Sequence, residues 1–130
     1  MPFSSYFFVV VEKNPFFATD LHNGLVDACA GCDIAGYRFA GEASADLGRV
    51  KADFSDDRQI VVLCSAGVDE IDDSGLAAAV RRFGATMVMM QDAPGAEKAG
   101  ERGWHLLSSP FTSRSIGDLV AILRRVTAAE

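Results

Sequence analysis

The sequence predicts an α/β fold, a parallel sheet with helices on both faces. Three observations predict it. Short runs of Val, Ile, Leu, Phe and Met recur along the 130 residues. Stripes with helical spacing separate them. The order strand then helix repeats five times, with no internal repeat, linker or low-complexity tract.

The first run, Tyr6 to Val11, is apolar, β-branched and aromatic throughout, as suits a strand buried on both faces. Asn14-Pro15 follows, a good N-cap and a good first helical residue. Phe17, Leu21, Leu25 and Ala28 then recur at helical spacing until Gly31. Ile34 to Phe39 reads as a second, shorter strand and Ala43 to Val50 as a weak helix, with Ser55-Asp56-Asp57 as a polar loop. Ile60 to Leu63 is a third, buried strand. Leu76, Ala79, Val80 and Phe83 carry a helical stripe closed by Gly84. Thr86 to Met90 is a fourth strand, Ala96 to Arg102 a short polar helix, and Trp104 to Ser108 a fifth strand. Ile116, Leu119, Val120 and Leu123 stripe a last helix, capped by Thr112 or Ser113.

Length and composition narrow the classes. A chain of 130 residues, 49% apolar, suits one packed domain spanning 1–130. The net charge of −6 leaves a nucleic-acid surface dependent on a local basic patch. The clustered pairs Arg81–Arg82 and Arg124–Arg125 each lie in an amphipathic segment and read as solvated helix faces, so no nucleic-acid partner is expected. Tyr6 to Val11 is too short to cross a bilayer, and no membrane association is expected. Three cysteines without a signal peptide point to a reducing, cytoplasmic setting. Cys29 and Cys32 form a C-x-x-C where the first helical pattern ends, rather than at a helix start, and nothing completes four zinc ligands.

In such a sheet, chemistry sits beyond the carboxyl ends of the strands. The residues there are Glu12, Lys13, Cys64, Gln91 and Ser109. Phe8-Val-Val-Val-Glu-Lys-Asn-Pro15 before a helix resembles the opening of a response-regulator receiver, and Leu107-Ser-Ser-Pro-Phe111 before a last helix resembles its ending. The resemblance implies a flavodoxin-like (βα)5 three-layer sandwich with strand order 2-1-3-4-5. It also implies a pocket holding Mg²⁺ on two acidic residues beside a phosphoryl-accepting Asp, with a hydroxyl residue and a Lys.

Carried over position by position, that pocket is degenerate. Glu12 fills the first acidic position and Lys13 the second. Cys64 stands for the acceptor, Gln91 for the hydroxyl residue and Ser109 for the lysine before Pro110. Mg²⁺ needs hard oxygen ligands with carboxylate charge, and a thiol does not replace an attacking carboxylate. Loss of Mg²⁺ binding and of Asp phosphorylation is expected, with no cofactor and no catalysis. Lys13 has two readings: an internal cation paired with Glu12 in the metal's place, or a side chain in solvent. Cys64 also has two: a thiol activated by Lys13, or a small packing residue.

The middle of the chain offers a competing resemblance. Ile60 to Leu76, with Asp72-Asp-Ser-Gly-Leu76, resembles the core of a STAS domain, the fold of anti-sigma-factor antagonists. There a strand runs into a turn that starts a helix, and Asp73 would stand for its phosphorylated Ser. In the plainer reading Asp72 or Asp73 caps that helix. The same loop carries Asp69, Glu70, Asp72 and Asp73, any of which could supply a displaced carboxylate.

The receiver resemblance further implies an output face made of 96–102, 104–108 and 113–126. Trp104, His105 and Arg114 are its candidate contact residues, since aromatics and arginine favour interfaces. The implied partner is a protein: a histidine kinase, a phosphotransfer protein, another regulator, or a second copy of the chain.

Overall fold

A computed structural model of the protein describes residues 6–28, 33–53, 59–107, 117–119 and 121–123. Five strands form one sheet in the order β2-β1-β3-β4-β5, and all four pairings are parallel. They are β1 (Tyr6–Val11), β2 (Asp33–Tyr37), β3 (Gln59–Cys64), β4 (Thr86–Met90) and β5 (His105–Leu107). A STAS domain would require a mixed sheet, so the competing resemblance is not met.

β1, between β2 and β3, is buried along its whole length because its two faces meet two different cores. Phe7, Val9 and Val11 face one, with Leu47 of α2 (Ala40–Asp53), Ile71 of α3 (Val68–Asp73) and Leu76 of α4 (Leu76–Phe83). Tyr6, Phe8 and Val10 face the other, with Leu21 and Leu25 of α1 (Pro15–Ala28) and with Leu119 and Leu123. Residues 117–119 and 121–123 are helical, within the expected last helix; its proposed caps Thr112 and Ser113 lie outside the described residues.

Local chemistry explains most boundaries. Asn14 caps α1 as its sequence suggests: its Oδ1 accepts from the amides of Phe16 (2.9 Å) and Phe17 (3.4 Å). Helix α2 begins three residues earlier than its apolar stripe. Glu42 reaches back to the Phe39 amide (3.2 Å) in a box-like cap that the weak hydrophobic pattern did not reveal. Gly84 closes α4 in the left-handed region at φ 68°.

Two expectations change. The capping role given to Asp72 or Asp73 fails, because those residues end α3 and the left-handed Gly75 (φ 84°) separates α3 from α4. The short polar helix between β4 and β5 is instead two 3₁₀ turns, Ala96–Lys98 and Gly100–Arg102. Ala96 and Ala99 are buried there, small enough to bring the turns directly onto the sheet. Cys29, Cys32 and the proposed Gly31 cap lie outside the described residues. Among the described residues, no helix is long and apolar enough to cross a membrane.

Candidate functional site

The carboxyl ends of β1, β3 and β4 open onto a cleft of about 530 Å³, lined by Glu12, Lys13, Phe17, Ser65, Met90 and Asp92 among others. Parallel strands place these residues side by side: Val11 is in register with Cys64, and Cys64 with Met89. Ser65 closes the rim between β1 and β3 by donating its amide (3.0 Å) and its hydroxyl (3.2 Å) to the Val11 carbonyl.

The β3–α3 loop is pinned to the loop after β4. The Val68 amide donates to the Pro94 carbonyl (2.9 Å), and a Cβ on Gly67 would stand 2.9 Å from Pro94 Cβ and 3.0 Å from its carbonyl oxygen. Only glycine permits that approach. Gly67→Ala is expected to cost about 1–3 kcal/mol through overpacking. Urea unfolding checks it, and an unchanged midpoint would show that the two loops separate freely.

The charges at this rim are engaged locally. Glu12 Oε2 accepts from the Asn14 amide (3.0 Å) and so serves the start of α1. Lys13 borders the cleft but is exposed and forms no ion pair with Glu12. Its ammonium lies 5.6 Å from the centroid of the Phe39 ring, with the Arg38 guanidinium 5.7 Å from that same centroid. The exposed ring offers both cations a π face without desolvating them.

Cys64 is fully buried, 0% exposed, within the core between the sheet and α2–α4. Burial pushes its thiol up to about 12, and the nearby Glu70 and Glu12 carboxylates add to the rise. The packing reading therefore holds, and activation by Lys13 does not. In a Cys29→Ser/Cys32→Ser background, Cys64 is expected to resist alkylation at neutral pH until the chain unfolds. The sign of the linkage follows: the unfolded thiol loses its proton first, near 9.0, while the folded one holds it to about 12. The thiol's contribution is thus complete below pH 9.0 and is lost as the pH rises toward 12. Rapid native-state alkylation would refute this assignment.

Asp69, Asp72 and Asp73 are exposed on α3 and do not supply the displaced carboxylate. The helix turns Val68 and Ile71 inward, which sends these three acids outward. Asp72 forms a two-pronged ion pair with Arg102 (2.5 and 2.7 Å), and that guanidinium holds its carboxyl below the usual range. Glu70 is the α3 acid whose charge reaches Cys64, and its Oε2 accepts from the Ala40 amide at the start of α2 (3.3 Å). Among the described residues, no three His, Cys, Asp or Glu side chains gather in a way that could hold a metal ion.

Gln91 follows β4 and is exposed; its amide donates to the Leu107 carbonyl (2.8 Å), which ties β4 to β5. Ser109 and Arg114 lie outside the described residues. Trp104 precedes β5 rather than opening it. It is half-buried against the α2–α4 core, with the Arg102 guanidinium 5.2 Å from its ring centroid. Trp104 and the half-buried His105 line a groove of about 320 Å³ with Ala77, Val80, Arg81 and Met87. Arg38, Phe39, Ser65 and Asp92 at the rim were missed by sequence reasoning. Their proximity depends on parallel register and loop paths, and no spacing in the chain encodes it.

No protein-family model matches this chain, and no curated protein matches it. Among solved structures it is similar to a protein of Burkholderia pseudomallei K96243 described as a putative pilus assembly-related protein. The two share 14% identity and superpose with a TM-score of 0.67 over 92% of this chain and 90% of that one. What they have in common is the fold, which in this chain is a five-stranded parallel sheet between helical layers.

Proposed function

We propose that this chain is an atypical receiver-like regulatory domain that acts through protein–protein contact and is not phosphorylated on Asp. One observation carries the reading. Where a receiver would present its acceptor carboxylate, this chain buries a neutral thiol, Cys64, while Glu12 and Glu70 are spent on backbone amides. Without convergent carboxylates, neither the metal nor the attacking group of phosphoryl transfer is supplied. The strand order 2-1-3-4-5 agrees with the receiver-like architecture.

The groove beside Trp104 supports contact as the output. It combines an aromatic side chain with arginines over apolar walls, the composition of an interface anchor. The neighbour described as related to pilus assembly makes such an assembly the setting in which a partner is sought first. Incubation with acetyl phosphate and Mg²⁺, followed by intact-mass measurement, tests the reading. An unchanged mass is expected. Stoichiometric addition of a phosphoryl group that maps to an Asp would overturn it.

A further inference from the structure

One edge of the sheet leads beyond that reading. β2 is an edge strand, with no strand beyond it among the described residues. The Glu12 amide donates to the Tyr37 carbonyl (2.9 Å). Backbone groups alternate sides along a strand. Asp33, Ala35 and Tyr37 therefore turn theirs toward β1, and Ile34 and Gly36 turn theirs outward. Such an edge is a template for another strand unless it is blunted. This one carries no proline, and Gly36 has nothing within 4 Å of where its Cβ would stand. Beside it, between α1 and β2, runs a groove of about 410 Å³ lined by Pro15, Ala18, Thr19, His22 and Ile34.

The two ends of this edge differ in charge. Lys13 and Arg38 stand exposed at the carboxyl end of β2, where the acids Glu12 and Glu42 are turned onto the Asn14 and Phe39 amides. α1 runs back against the strands, so its Asp27 stands at the other end, with Asp33. A strip that is basic at one end and acidic at the other complements itself under a two-fold rotation.

We propose that β2 pairs antiparallel with β2 of a second copy, forming a symmetric dimer with a continuous ten-stranded sheet. The outward groups restrict the register to pairs in which both residues face out. Placing the axis at Ala35 sets Ile34 opposite the partner subunit's Gly36, so that each isoleucine covers the space above a glycine. The same rotation sets Lys13 and Arg38 of one copy beside the acidic end of the other. The contact is isologous and closed, and it leaves no free edge at β2.

Sedimentation equilibrium from low to high micromolar concentration tests the proposal. Physiological salt is used, which screens the repulsion between two chains of net charge −6 beyond about 8 Å. The full chain is expected to shift from monomer to dimer. Gly36→Pro removes an outward N–H and is expected to remain monomeric with an unchanged circular dichroism spectrum. Arg38→Glu, on an exposed side chain, keeps the test decisive should the proline variant misfold. It is expected to raise the dimer dissociation constant about tenfold or more, and adding Asp27→Arg is expected to restore association. A chain that stays monomeric throughout, a dimer that survives in folded Gly36→Pro, or one indifferent to Arg38→Glu would each overturn the proposal. None of these results bears on phosphorylation, so the two readings fail separately.

Discussion

Phe8→Ala is expected to lower stability by about 3–5 kcal/mol, a large share of the ~5–15 kcal/mol that holds a typical domain together. Phe8 is 0% exposed on the inner strand β1, in register with Ile34 and Val61. It packs in the cluster that joins β1, β3, β4 and β5 to α1 and to Leu119 and Leu123. Truncation loses the burial of the ring and leaves a cavity that neighbours on two adjacent strands cannot collapse to fill. Urea unfolding is expected to show a lower midpoint with an unchanged slope. Phe16→Ala is the control: that ring is 79% exposed, and its loss is expected to change stability by no more than about 0.5 kcal/mol. Equal effects for the two variants would show that the core assignment is wrong.

Cys64→Asp is the second large effect, and it bears on function. The substitution puts a carboxyl where a receiver would have its acceptor, but in this chain the position is dry. Burial would raise the new group's pKa by about 3 units, a cost of about 4 kcal/mol at neutral pH. The sign is that of a raised acid: the unfolded chain gives up this proton near ~4, while the folded chain keeps it several units higher. The variant's stability is therefore highest in acid and falls as the pH rises through that window. Thermal melts from acid to neutral pH check this. Mg²⁺ is expected to leave the melts of Cys64→Asp and of Lys13→Asp unmoved. In the double variant it is expected to raise them, because a cation bound only to the folded state stabilises it. A Mg²⁺-dependent rise in the unaltered protein would overturn the degenerate-pocket reading.

The strands and the first helix were legible in the chain because each depends on local pattern. β1 and β4 begin and end where their apolar runs do, and Asn14 caps α1 through a bond two residues long. The polar segment between β4 and β5 misled, since a charged stretch with buried alanines fits a helix as well as two 3₁₀ turns. At the candidate site, the sequence identified which residue types stand at the strand ends, but not their engagements. Lys13 was placed by the Phe39 ring, two elements further on, and Asp72 by Arg102, thirty residues away.

Composition and periodicity by themselves determined the order of elements, the burial of β1 and the identities of Glu12, Lys13 and Cys64 at the rim. Only the tertiary structure decided that Cys64 is dry, that Glu70 rather than its three acidic neighbours turns toward it, and that Ile34 and Gly36 turn their backbone groups away from β1. The physical reason is range. Caps and hydrophobic stripes act over three or four residues, whereas desolvation, ion pairing and strand edges arise between segments that only the folded sheet brings together.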